Sequence, residues 1–159
     1  NIVTDTIGIP YFLYHNVFEG TGALMRYENG WTSTDLKTML AKNYPGYRVH
    51  VQSTLTITET GKLYTGLMLE PTQINQWGAP GTSTVVLTID PTSSKTKEVF
   101  STPIDPEIAQ WLPAFVHPQQ AVPKAPFMIY TEGVNAGGFQ NNHNEVATKV
   151  KLIKFDSDE

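Results

Sequence analysis

The chain contains no cysteine, which removes disulfide staples and thiolate-ligated metal while leaving the redox compartment open. It is also short of charge: Asp, Glu, Lys and Arg make up 16% of the residues, against about a quarter in an ordinary globular domain. Eleven basic residues stand against fifteen acidic ones, a net charge of −4. No cationic excess exists to track a phosphate backbone, so nucleic acid is not an expected partner. No apolar run approaches the roughly 20 residues of a membrane-spanning helix, and no transmembrane segment is expected. Several catalytic signatures are missing as well: the GxSxG elbow, the P-loop, the dinucleotide fingerprint and HExxH. The four histidines, His15, His50, His117 and His143, are scattered with no pair at ligand spacing. The mixed run NNHNE at 141–145 is the nearest approach to a metal-binding stretch, and neither metal nor cofactor is expected.

What is present is one domain's worth of chain. At 159 residues a domain buries roughly two-thirds of its unfolded surface and needs no staple. Thr, Asn, Gln, Gly and Pro are abundant, a composition associated with β-rich exterior proteins. Residues 1–9 carry no period and read as a linker or arm, and residues 156–159 as an acidic tail. The opening at Asn1, with no basic-then-apolar leader, leads us to expect a processed product or a piece of a larger parent.

Residues 10–18, bulky and rich in aromatic and β-branched side chains, predict a largely buried strand. Glu19-Gly20-Thr21-Gly22 reverses the chain into a return strand over 23–28, and Asn29-Gly30 makes a second turn. The run Thr32-Ser33-Thr34-Asp35 then supplies N-cap candidates for a helix over 36–42. After a turn at Tyr44-Pro45-Gly46, residues 47–70 read as a long hairpin bent at Thr60-Gly61, its wet face carrying Arg48, His50, Gln52, Thr54, Thr56 and Thr58. A strand over 84–90 and a polar loop over 91–97 follow. Asp105-Pro106-Glu107 has the form of a second helix start, with Ile108, Trp111 and Leu112 turned to the core. Pro113, Pro118, Pro123 and Pro126 make the next stretch an extended surface crossing. A short strand over 127–131, a Gly/Asn-rich loop over 133–144 and a last strand over 145–155, with Val146, Val150 and Leu152 set against Lys149 and Lys151, complete the chain. The expected fold class is α+β: mainly antiparallel β-sheet with two or more short helices and long Pro/Gly-rich loops, in a single domain.

Chemistry gathers in the first forty residues. His15 and Asn16 interrupt the first strand, Arg26 the second, and Asp35 sits at the cap. In one reading Asp35 orients His15 as a general base toward Ser33, Thr32, Thr34 or an outside group. In the other, Asp35 is a helix cap and His15 a satisfied strand histidine. A positioned base contributes about 10²- to 10⁴-fold, short of the ~10⁶-fold or more of an enzyme. A nucleophile and oxyanion donors are therefore required, and the amides of Gly20, Gly22 and Gly30 are the candidates. Neighbouring strand residues point to opposite faces, so His15 and Asn16 share a pocket only across a bulge.

The segments PYFLYHNVF, ALMRY and GWTSTD, over residues 9–35, resemble the protruding domain at the C-terminus of a major capsid protein of iflaviruses, the insect picorna-like viruses, the bee-infecting members above all. The closing KVKLIKFDSDE resembles the end of that capsid protein. The resemblance implies a module on the virion surface that acts in host-cell attachment or entry. Its partners would be a host receptor or glycan and the remainder of the capsid. It also implies an Asp-His-Ser set, serving as catalytic triad or receptor site, with His15 and Asp35 at matching positions. The serine that follows the histidine directly in a relative is Asn16 here, and the interval from Arg26 to Asp35 is longer, so Ser33 becomes the candidate hydroxyl. Asn16, Arg26 and Trp31 are the expected binding residues beside it. The alternative function is that of a hydrolase, an esterase, lipase or protease assisting entry. A third reading makes the histidines a pH sensor in the endosomal range.

Overall fold

The computed structural model describes residues 2–16, 21–50, 55–72, 81–93, 95–104, 108–116, 127–134 and 148–155. In chain order these form β1 (Ile2–Thr4), β2 (Pro10–Asn16), β3 (Thr21–Tyr27), β4 (Trp31–Asp35), α1 (Leu36–Ala41), β5 (Tyr47–His50), β6 (Thr56–Ile57), β7 (Leu63–Pro71), β8 (Ser83–Ile89), β9 (Thr96–Ser101), β10 (Ile108–Val116), β11 (Phe127–Val134) and β12 (Thr148–Lys154). The strands make three sheets, ordered β1-β2-β3-β4, β5-β7-β8-β9 with β6 also on β7, and β10-β11-β12. Every pairing among the described residues is antiparallel. The mainly antiparallel expectation therefore holds.

The second sheet lies between the other two. Side chains alternate along a strand, and the register pairs Leu63 with Ile89 and Leu67 with Val85. One face of β7 and β8 thus presents Leu63, Leu67, Leu69, Val85, Leu87 and Ile89 to a core shared with Tyr11 and Leu24 of the first sheet and Leu36 and Leu40 of α1. The other face sends Tyr64 and Val86 into a smaller cluster with Met128 and Phe155, flanked by Phe100 and Ile153. Being covered twice, β7 is buried from Leu63 to Glu70 and β8 throughout. Thr56 and Thr58, read from alternation as part of a wet face, are in fact buried. Their hydroxyl class survives burial by bonding nearby polar groups: the Thr58 Oγ1 accepts from the Lys62 N–H at 3.2 Å and lies 2.8 Å from the Thr60 hydroxyl.

Four further departures share one cause, partner strands that a local reading does not contain. Residues 2–4 of the expected arm pair with β2 as β1. Residues 32–35, read as cap candidates, pair with β3 within β4 before Asp35 caps α1. Residues 96–101 pair with β8 as β9. The expected second helix is instead the strand β10, paired with β11, and α1 is the one helix among the described residues. Residues 105–107, where that helix was to start, lie outside them, as do most of the loop at 133–144 and the tail at 156–159. Pro113 is accommodated because β10 is an edge strand whose register shifts between Trp111 and Ala114, the two situations in which a strand tolerates proline. In β12, Ile153 pairs with Met128 and turns with it toward the smaller core. Val150 and Leu152 consequently face out, 66% and 64% exposed, the reverse of the apolar set expected inside.

The turn after α1 is fastened to the second sheet by Tyr44, whose hydroxyl donates to the Glu98 carboxylate on β9. Burial first, then that bond, raises the Tyr44 pKa. Burial likewise raises that of Tyr11. Both folded-state values exceed the unfolded one near 10, so the folded chain holds protons that the unfolded chain releases. This stability is complete below about pH 10 and is lost as pH rises through the folded-state values. The urea midpoint is expected to fall above pH 10, and Tyr44→Phe should make that fall shallower. An identical alkaline profile in the variant would show that the Tyr44 contact is not the source.

Candidate functional site

The first sheet meets the core through Tyr11 and Leu24, so the alternate residues look away from it. The register stacks them in rows: Ile2 beside Phe12, Phe12 beside Met25 and Ser33, Tyr14 beside Ala23 and Asp35, and Tyr27 beside Trp31. Tyr14, Tyr27 and Trp31 are about half exposed and Ile2 more so. Trp31 stands edge-on to Phe12 and Tyr27, with ring centroids at 5.2 and 5.0 Å, the geometry aromatic quadrupoles prefer. Along the same face runs an open groove of about 660 Å³, lined by Phe12, Tyr14, Met25, Ser33, Asp35 and Thr38. Aromatic bodies with hydroxyls and a carboxylate along one margin suit a ligand that is apolar on one side and hydrogen-bonding on the other. Contiguous exposed apolar surface of this kind marks contact sites.

Asp35 has a settled local role. It is the N-cap of α1: its Oδ1 accepts the Thr38 N–H at 2.9 Å and its Oδ2 the Thr38 hydroxyl at 2.7 Å. It nevertheless lines the groove together with Ser33, two positions earlier on the same face. The structure therefore brings Ser33, Asp35 and Trp31 to one surface. Arg26 belongs to the other, beside Tyr11. Its Nε donates to the Tyr11 hydroxyl oxygen at 3.3 Å, and its guanidinium pairs with Glu28. Tyr11 in turn donates to Asp5 Oδ2 at 3.1 Å, while Asp5 Oδ1 accepts the Ile7 and Ile9 N–H groups. Arg26 thus ties β3 to the β1–β2 connection.

The backbones of His15 and Asn16 pair with Gly22 and Thr21, and their side chains lie outside the described residues. Asp35 stands opposite Ala23, itself opposite Tyr14. Position 15 is therefore one residue along β2 and two strands away from Asp35, a backbone separation of about 10 Å at the usual strand spacing, and its register position has the parity of Tyr11 and Leu13 rather than that of Tyr14 and the groove. Of the glycines considered as oxyanion donors, Gly22 lines the groove. Gly30 sits in the β3–β4 turn at the far end of β4, and Gly20 lies outside the described residues. The exposed row of Tyr14 and Tyr27 was missed by the sequence reading, though its signal exists: Phe12 and Tyr14 are spaced by two in one strand, as are Met25 and Tyr27 in its partner. Among the described residues no group of three His, Asp or Glu side chains is placed to hold a metal ion, and no helix is long and apolar enough to cross a membrane.

Comparison of the chain with protein-family models, with curated proteins and with solved structures finds no match.

Proposed function

We propose that this chain is a virion-surface capsid protruding domain acting in host-cell attachment or entry, with the outer face of β2, β3 and β4 as its contact surface for a host receptor or glycan. The observation that carries the reading is the solvent-facing row of Tyr14, Tyr27 and Trp31 beside Ser33, Asp35 and Thr38. Large amphipathic rings that are already ordered against one another give contact area at little entropic cost, which is why aromatic residues dominate binding hot spots. The resemblance of residues 9–35 to iflavirus protruding domains supports the same reading. The purified chain is expected to bind susceptible insect cells saturably and to compete with intact virions. Binding that neither saturates nor competes would overturn it.

A hydrolytic role is favoured by one observation, the placement of Ser33 and Asp35 on a single groove. In that reading Asp35 orients His15 and His15 activates Ser33. The cap role and the catalytic role of Asp35 separate by substitution. Asparagine keeps an acceptor for the Thr38 N–H and alanine does not, so Asp35→Ala should lose about 1 kcal/mol of stability while Asp35→Asn stays near the parent. If the chain hydrolyses short esters, both Asp35→Asn and His15→Ala should abolish turnover. Turnover that is absent, or indifferent to both substitutions, leaves Asp35 a cap alone.

A further inference from the structure

Two reversals of the second sheet converge at one end of it. The β6–β7 turn contributes Thr60, Gly61 and Lys62, the β8–β9 connection Asp90 and Lys95, and the start of β9 Thr96 and Lys97. The register fixes this convergence, because Leu63 pairs with Ile89 and Ile89 with Thr96. Gly61, at φ +81°, occupies the left-handed region that the tight reversal requires. Between the two connections lies an open groove of about 390 Å³ that shares no residue with the groove on the first sheet.

Its charge is opposite to that of the chain. Lys62, Lys95 and Lys97, three of the eleven basic residues, line it against the single carboxylate of Asp90. That carboxylate is engaged by the loop backbone: its Oδ1 accepts the Ser93 and Thr92 N–H groups at 3.0 and 2.8 Å, and these bonds, Ser93 first, hold its pKa below the ordinary carboxylate value. The lining carries a net charge of +2 on a chain of −4, so its local field attracts an anion. The ligand chemistry follows from the residue types. Lysine ammonium groups are compact point charges that suit separate oxyanions, whereas bidentate phosphate recognition favours arginine, and no arginine lines the groove. None of the lining residues is aromatic, which leaves bases nothing to stack on. The hydroxyls of Thr60 and Thr96 offer both donors and acceptors to sugar hydroxyls. The volume falls in the range of small-ligand sites.

We propose that this groove binds a sulfated oligosaccharide. The site stands independently of the aromatic face and adds a second, electrostatic contact to it. A sulfated hexasaccharide is expected to bind the full chain with an affinity that drops steeply between low and moderately high salt, since exposed charges are screened over a Debye length. Its desulfated counterpart should not bind. Each lysine should contribute a factor of about 1.5 to 5, so Lys62→Ala, Lys95→Ala and Lys97→Ala together should weaken binding on the order of tenfold, while the triple change to arginine retains it. Amide shifts on titration should centre on residues 60–62 and 88–97. Because Lys62 also lies over the Tyr64 ring at 5.8 Å, the Lys95→Ala/Lys97→Ala double variant, both of whose positions are exposed, provides a test that does not touch that packing. Unchanged affinity in the double and triple variants would overturn the proposal. So would equal binding of the desulfated sugar, or an equally tight oligonucleotide complex with the same shifts.

Discussion

Truncating Leu67 to alanine is expected to destabilise the chain by about 2–5 kcal/mol, toward the upper end of that range. Leu67 is fully buried in the middle of β7, opposite Val85. Its strand is paired on both edges and covered on both faces, so the surroundings have little freedom to collapse into the space left behind. Against a typical total of about 5–15 kcal/mol, that loss is large. Leu152→Ala makes the matching control, because the same side chain is 64% exposed there and should change stability by no more than about 0.5 kcal/mol. Urea unfolding of the two variants decides the matter: comparable midpoints would contradict a second sheet enclosed by the other two.

Replacing Trp31 by alanine should act mainly on binding. The side chain is 55% exposed, and its removal forfeits two edge-on ring contacts, each worth about 0.5–1.5 kcal/mol beyond burial. As the centre of the exposed aromatic row it is the expected hot spot, for which truncation costs about 2 kcal/mol or more, close to a thirtyfold loss of affinity. Arg26→Ala should show the opposite profile, with weakened folding through Tyr11 and cell binding nearly intact, since Arg26 lies on the other face. Equal binding losses in the two variants, measured by saturation on susceptible cells, would place the contact elsewhere.

Much of the first sheet's second turn and of the helix start after it was legible from residue type alone. Glycine and asparagine at 29–30 demand the positive φ angles that the structure shows there, 58° for Asn29 and 139° for Gly30, and Asp35 caps the helix whose Leu36 and Leu40 reach the core. Leu63, Leu67 and Leu69 share one parity in the sequence, and all three lie in the core. What local reading missed depends on tertiary partners. Asp105-Pro106-Glu107 has every mark of a helix start, yet Ile108, Trp111, Phe115 and Val116 are also strand formers, and pairing with β11 settles the competition. Threonine at 56 and 58 signals a wet face only where no second layer covers it. For the candidate site, spacing by two places Trp31, Ser33 and Asp35 on one side once 31–35 is known to be a strand. Read as a run of cap residues, the same letters carry no such information. The inward setting of Arg26 depends on Tyr11 and Asp5, fifteen and twenty-one positions earlier, a distance no local pattern spans.

The enclosure of the second sheet has an evolutionary consequence. Among the described residues, the first sheet meets the larger core through Tyr11 and Leu24, and the third meets the smaller one through Met128 and Ile153. Substitutions at their outward positions therefore leave the shared interior untouched. Exposed positions such as Val150 and Leu152 of β12 can therefore change at a cost of no more than about 0.5 kcal/mol, while the double-covered second sheet cannot.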